Sequence, residues 1–161
     1  MVMQQELQLD ALRATVADIE RIIKPLPPAG LTQRFDGGWS ILDVIGHIIA
    51  VDEMMFARCQ LIFAEDNPSV VGHVPTSVFG DKAVSQEDAI LRWRTLREQF
   101  CAWLAALPPG ALNRRATHNE RGMITIRTEV QIIIDHDTEH LNQIMTLQEQ
   151  WYTTRKVWGK K

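Results

Sequence analysis

The chain is poor in several features, and each shortage removes a class of protein. It has two cysteines, Cys59 and Cys101, and no C-x-x-C pair. That excludes a disulfide scaffold, a zinc ribbon and a dithiol redox centre. Both cysteines fall inside expected helices and read as small core residues of a reducing compartment. Basic residues are not in excess: 17 Lys and Arg stand against 20 Asp and Glu, for a formal net charge of −3. A nucleic-acid binder would favour a basic face, so nucleic acid is not the expected partner. No apolar run approaches the roughly 20 residues of a membrane helix. The opening MVMQQELQLDALR becomes amphipathic at once, unlike a signal peptide. The expectation is a cytoplasmic protein with no membrane partner. Strand signals are thin as well. Residues 70–80, VVGHVPTSVFG, are rich in Val but broken by Gly and Pro, and read as loop.

What remains is an ordinary globular composition, 45% hydrophobic and 23% charged over 161 residues. That is one domain with a sizeable core, spanning residues 1–161. Its short basic tail, from about residue 153, reads as a solvated end.

The periodicity predicts four helices. The first runs from about Gln4 to Lys24, with Leu9, Leu12, Val16, Ile19 and Ile23 at alternating three- and four-residue steps. PLPPAG ends it. The second runs from about Ile41 to Ala64, with Ser40 as N-cap and Asp43 three residues on. The third, from about Gln86 to Leu107, carries a seam of Ala89, Trp93, Leu96, Phe100, Trp103 and Leu107 behind the cap Ser85. The fourth runs from about Ile126 to Tyr152 after Thr125. The fold class is all-α, a four-helix bundle. The connection from Asn67 to Val84 could span roughly 59 Å, against roughly 38 Å for a helix of about 25 residues. Helices two and three can therefore run parallel through a crossover.

Three histidines stand where such a bundle would place apolar side chains. His136 and His140 lie one turn apart in QIIIDHDTEHLNQI, in the middle of a seam framed by Ile126, Ile133 and Leu147. His47 interrupts the apolar run WSILDVIGHIIAVDEMMF. Imidazoles are poor core fillers unless their nitrogens are satisfied. Three of them from two helices point to a divalent ion, with zinc, nickel, iron and manganese all suited to a nitrogen set. Three protein ligands leave open positions, the mark of a catalytic rather than a structural site.

The neighbouring polar residues admit blander roles. Asp43 reads first as a helix N-terminal acid, although one turn before His47 it could orient that ring. Asp52 and Glu53 read as solvent-facing or interhelical. Glu129 is two turns from His136, about 10 Å along the axis, and too far to share its ion. His73 and His118 fall in expected loops and read as surface residues. Trp93, Phe100 and Trp103 read as core.

GGWSILDVIGHIIAVDE, followed by HNERGMITIRTEVQIIIDHDTEHLNQI, resembles the DinB-like superfamily of small bacterial proteins over roughly residues 5–150. The matching positions are Trp39, Ser40 and His47 early, then His118, Gly122 and Thr125, then His136, Asp137, His140, Gln143 and Ile144. The resemblance implies up-down-down-up connectivity with a long crossover between helices two and three. It implies a divalent metal on His47, His136 and His140, with no catalytic side chains beyond those ligands. It also implies a homodimer, and a low-molecular-weight thiol as cosubstrate in those relatives that are thiol-dependent transferases or isomerases. The leading expectation is a metal-dependent enzyme acting on a small molecule, as a thiol-dependent transferase or a related hydrolase or isomerase. A non-catalytic, metal-stabilised dimeric or regulatory bundle is the alternative. A metal-free bundle whose histidines satisfy one another is a third reading.

Overall fold

The computed structural model describes residues 2–73, 75–79 and 84–158, with side chains described between 5 and 155. The helices are α1 (Val2–Ile23), α2 (Pro28–Thr32), α3 (Ile41–Ala64), α4 (Gln86–Ala105) and α5 (Ile126–Trp158). Their starts follow the expected caps. Ser40 accepts from the Asp43 backbone N–H while Asp43 accepts from the Ser40 N–H at 2.8 Å, a complete capping box. Ser85 accepts from the Asp88 N–H at 3.0 Å, and Thr125 from the Thr128 N–H at 3.2 Å. The short α2 is an addition to the four expected helices and begins within the PLPPAG stop. Helix α5 runs on to Trp158, so the basic tail is helical that far. Lys160 and Lys161 lie outside the described residues.

Cross-helix pairs fix the connectivity. Glu53 meets Arg92, Phe56 meets Phe100 and Phe63 meets Trp103, so α3 and α4 run parallel. Gln8 with Gln131 and Gln148 with the Ile22 carbonyl make α1 and α5 parallel. Arg13 with Glu98 sets α1 against α4, and Arg58 with Glu129 sets α3 against α5. The bundle is up-down-down-up, with the long crossover between α3 and α4 that the loop length permits.

The expected absence of strands needs correction. Three short strands, β1 (Ser69–Val70), β2 (Arg115–His118) and β3 (Gly122–Thr125), form one sheet. β2 and β3 make an antiparallel hairpin, with Gly122 at φ +72° at its turn. β1 joins β2 in parallel, Ser69 opposite Thr117 and Val70 opposite His118. The Asn119 side chain accepts from the Gly72 N–H at 2.8 Å. The sheet therefore ties the crossover to the hairpin that leads into α5.

The core is split at mid-height. One apolar cluster holds Val16, Ile19, Ile23, Ile45, Ile48, Trp93 and Ile144, and the other Leu12, Met55, Ile62, Phe100, Ile126 and Ile133. Between them lies a polar layer of His47, Asp52, Arg97, His136 and Asp137.

Candidate metal centre

Antiparallel packing of α3 on α5 brings the three histidines together. His47 is 4% exposed; His136 and His140 are half-buried. The rings are fanned rather than stacked, with interplanar angles of 52°, 73° and 75°. Each turns Nε2 toward a common point. His136 Nε2 is 3.0 Å from His47 Nε2 and 3.0 Å from His140 Nε2. All three ligand atoms lie within 4.8 Å of one another. Bonds of about 2.0–2.1 Å at angles of roughly 90–109° put neighbouring ligand nitrogens about 2.8–3.4 Å apart, so the 3.0 Å separations fit one ion.

The proton inventory supports the same conclusion. His47 Nδ1 is 2.7 Å from the Pro75 carbonyl, and His140 Nδ1 is 2.7 Å from Gln143 Oε1. Each can only donate there, so both Nε2 atoms carry lone pairs when the rings are neutral. His136 Nε2 faces both and has at most one proton to give. One of the two contacts lacks a proton. A cation shared by the three Nε2 atoms would make up that shortage, while leaving the buried His136 Nδ1 without a partner among the described residues.

The crossover sets the His47 tautomer. Besides the Pro75 contact, the Val78 N–H donates to the Gly46 carbonyl at 3.1 Å. A Cβ on Gly46 would lie 2.0 Å from Ser77 Oγ and 2.8 Å from the Phe79 ring. Only glycine lets the strap lie on α3 beside the histidine. Asp43 takes no part in orienting that ring. Burial pulls its carboxyl pKa upward, but hydrogen bonds from Ser40 and Arg34 outweigh this and hold it below the usual value. The acid serves the helix end, the first of its two expected roles.

Burial lowers the pKa of His47, and lowers that of His136 to about 3 with help from His140, His47 and Arg97. The unfolded chain binds a proton at such a ring below about pH 6.5, and the folded chain at His136 only near 3. This ring's contribution to stability therefore falls as pH drops through that window. An NMR titration of the metal-free protein should show the His136 ring unchanged from neutral pH to about 5. A midpoint close to 6.5 would contradict the burial argument.

A cavity of about 210 Å³ opens beside the triad. Val51, Met54, Met55 and Ile132 give it an apolar wall, and the crossover contributes Gly72, His73 and Pro75. His118 and Arg121 of the hairpin and Arg58 of α3 also line it. His118 is no surface residue, contrary to the sequence expectation. It is 2% exposed, and its Nδ1 accepts from the backbone N–H groups of Glu120 and Arg121 at 3.1 and 3.3 Å. His73 is exposed at the cavity rim. Glu129 is fully buried and held by Arg58 at 2.9 Å, so it is a counter-ion and not a ligand. Asp52 is interhelical, as one of its two expected readings had it, and shares Arg97 with Asp137. Neither arginine was foreseen. Cys59 and Cys101 are buried, as expected. Burial raises both thiols, Cys101 to about 11, so neither supplies a nucleophile. No described helix is long and apolar enough to cross a membrane.

The sequence profile of the DinB superfamily matches residues 11–144, a span that contains all three histidines. A proposed metal-dependent hydrolase of Oceanobacillus iheyensis is 26% identical over 118 residues, covering 72% of this chain and 69% of the relative. Another from Bacillus mycoides is 21% identical over 136 residues, covering 83% and 79%. Among solved structures, YfiT of Bacillus subtilis superposes with a TM-score of 0.81 at 17% identity, over 94% of this chain and 89% of that one. YfiT is described as a proposed metal-dependent hydrolase with an unusual four-helix bundle topology.

Proposed function

The chain belongs to the DinB superfamily, and from that premise we propose that it is a metal-dependent enzyme acting on a small molecule, with His47, His136 and His140 holding a divalent ion. The observation that carries this reading is the proton deficit among the three Nε2 atoms, set beside a cavity with an apolar wall. When bound, such an ion supplies Lewis acidity, which brings the pKa of water or a thiol toward neutrality. The protein contributes orientation: Pro75 and Gln143 fix two ring tautomers, and the apolar wall limits bulk water. No cysteine and no carboxylate among the described residues lines the cavity. That supports a nucleophile drawn from solution. Water makes the protein a hydrolase, in keeping with the names of its relatives, and a low-molecular-weight thiol makes it a transferase.

The test is a cobalt-substituted protein. Small thiols or azide should change its visible spectrum, because three protein nitrogens leave positions open. Turnover of an electrophilic ester with water alone, or only with added thiol, then separates hydrolysis from transfer. A spectrum that no small ligand alters would leave the ion a structural role and favour the non-catalytic reading.

A further inference from the structure

We propose that His118, Arg58 and Arg121 form a subsite for a carboxylate, or a similar oxyanion, on the substrate of this cavity. The inference rests on the cavity being the substrate site, and it goes beyond the metal to the chemistry of what enters.

His118 carries the argument furthest. Two backbone N–H groups donate to its Nδ1, so the ring proton of the neutral imidazole is on Nε2. That Nε2 is buried with no hydrogen-bond partner in the protein. Buried donors are rarely left unpaired, and exceptions mark functional groups or sites completed by another molecule. This donor belongs to a residue that lines the cavity.

The charges around it agree. Arg58 is 8% exposed. It donates to Glu129 Oε2 at 2.9 Å and to the Val71 carbonyl at 3.0 Å, so its guanidinium is held in place. Arg121 Nη1 is 3.8 Å from the other oxygen of the same carboxylate, Glu129 Oε1. Two guanidinium groups thus face the Glu129 carboxylate, while the exposed Glu120 carboxylate lies beside Gly72 at the rim. A neutral donor beside two guanidinium groups recognises an oxyanion better than a neutral carbonyl. The cavity is below the roughly 300–1,000 Å³ of drug-sized pockets. A short carboxylic acid suits it, with its apolar carbons against Val51, Met54 and Ile132.

The experiment titrates the metal-free full chain with propionate and, separately, propionamide. Omitting metal removes the triad as a competing anion site. Propionate should shift the His118 ring signals, and propionamide should bind at least about tenfold more weakly. His118→Phe should weaken propionate about tenfold, and Arg121→Gln several-fold, with added salt acting in the same direction as the latter. Arg121 is exposed, so its replacement does not endanger the fold. Equal binding of acid and amide, or propionate binding that ignores both variants, overturns the proposal. Metal content measured on the same variants keeps the two readings apart. An ion retained while propionate ignores both variants defeats the subsite alone. Propionate behaving as expected on a chain that never retains an ion upholds the subsite and defeats the metal reading.

Discussion

Purified without a polyhistidine tag, the protein should carry about one divalent ion per chain, and His136→Ala should carry almost none. His136 is the ring whose Nε2 lies 3.0 Å from both others, so its loss removes the ligand atom adjacent to each of the remaining two. His140→Ala should have the same effect. If the ion binds only the folded state, its presence at 100 times the dissociation constant adds ~2.7 kcal/mol. For a domain of this size that corresponds to a melting-temperature shift of about 5–10 °C. Chelator should produce that fall in the parent protein and none in His136→Ala. The apo protein should remain folded, because both apolar clusters are built without the histidines. Elemental analysis and thermal melts together make the test. Parent-level metal in both alanine variants would remove the basis for an enzyme at this site.

The helices and the triad were legible in the sequence because both rest on periodicity. All five apolar positions expected on α1 are buried, from Leu9 to Ile23. α3 begins at Ile41 and ends at Ala64 as expected, because Ser40 and Asp43 announce its start chemically. Spacing of i and i+4 placed His136 and His140 on one face, and the apolar frame around His47 marked it as inward. On α4 the expected seam holds at Ala89, Trp93 and Phe100, which are buried. Leu96 and Trp103 are only half-buried and Leu107 lies beyond the helix end, while Ile90, Arg97, Cys101 and Leu104 also occupy the interior. An arginine at an inward position was the signal available, since a buried guanidinium requires acids on facing helices.

The sheet and His118 were hidden for a different reason. β1 has two residues and β2 is RATH, too short for an alternating pattern to register. What holds β1 to β2 is backbone pairing with a remote segment, such as the Thr117 N–H with the Pro68 carbonyl at 2.9 Å. Hydropathy carries no trace of that. The burial of His118 follows from the hairpin turn, whose N–H groups satisfy one ring nitrogen. A histidine followed closely by Gly122 was the only local hint, and it suggested a turn without saying which way the ring points.

Arg97→Met should destabilise the protein by about 3–5 kcal/mol, the cost of removing one partner from a buried charge pair. Arg97 donates to Asp52 Oδ2 and Oδ1, both at 2.9 Å, and to Asp137 Oδ2 at 2.7 Å, with all three residues 1% exposed. It also donates to the Leu12 carbonyl at 3.0 Å, so one side chain links all four long helices. Two carboxylates already share one guanidinium. Burial, with Asp137 adding to it and Arg97 opposing, raises the Asp52 pKa to about 6. A carboxyl whose folded pKa is raised favours the fold most when protonated, and that contribution is lost as pH rises through about 6. Without Arg97 both acids lose their counter-ion, so the variant's deficit should be largest at neutral pH and shrink toward pH 5. Arg97→Met combined with Asp52→Asn and Asp137→Leu should recover most of the loss. It leaves no buried charge in this network, and Asn can still accept from Trp93 Nε1, which now bonds Asp52 at 2.8 Å. Urea melts at two pH values decide the matter, and a single variant within about 1 kcal/mol of the parent would contradict the network. Asp137 follows His136 directly in sequence, so the charge network and the triad grip α5 at adjacent positions. Below its melting temperature, Arg97→Met should still bind the ion, because the three Nε2 atoms take no hydrogen bond from the guanidinium.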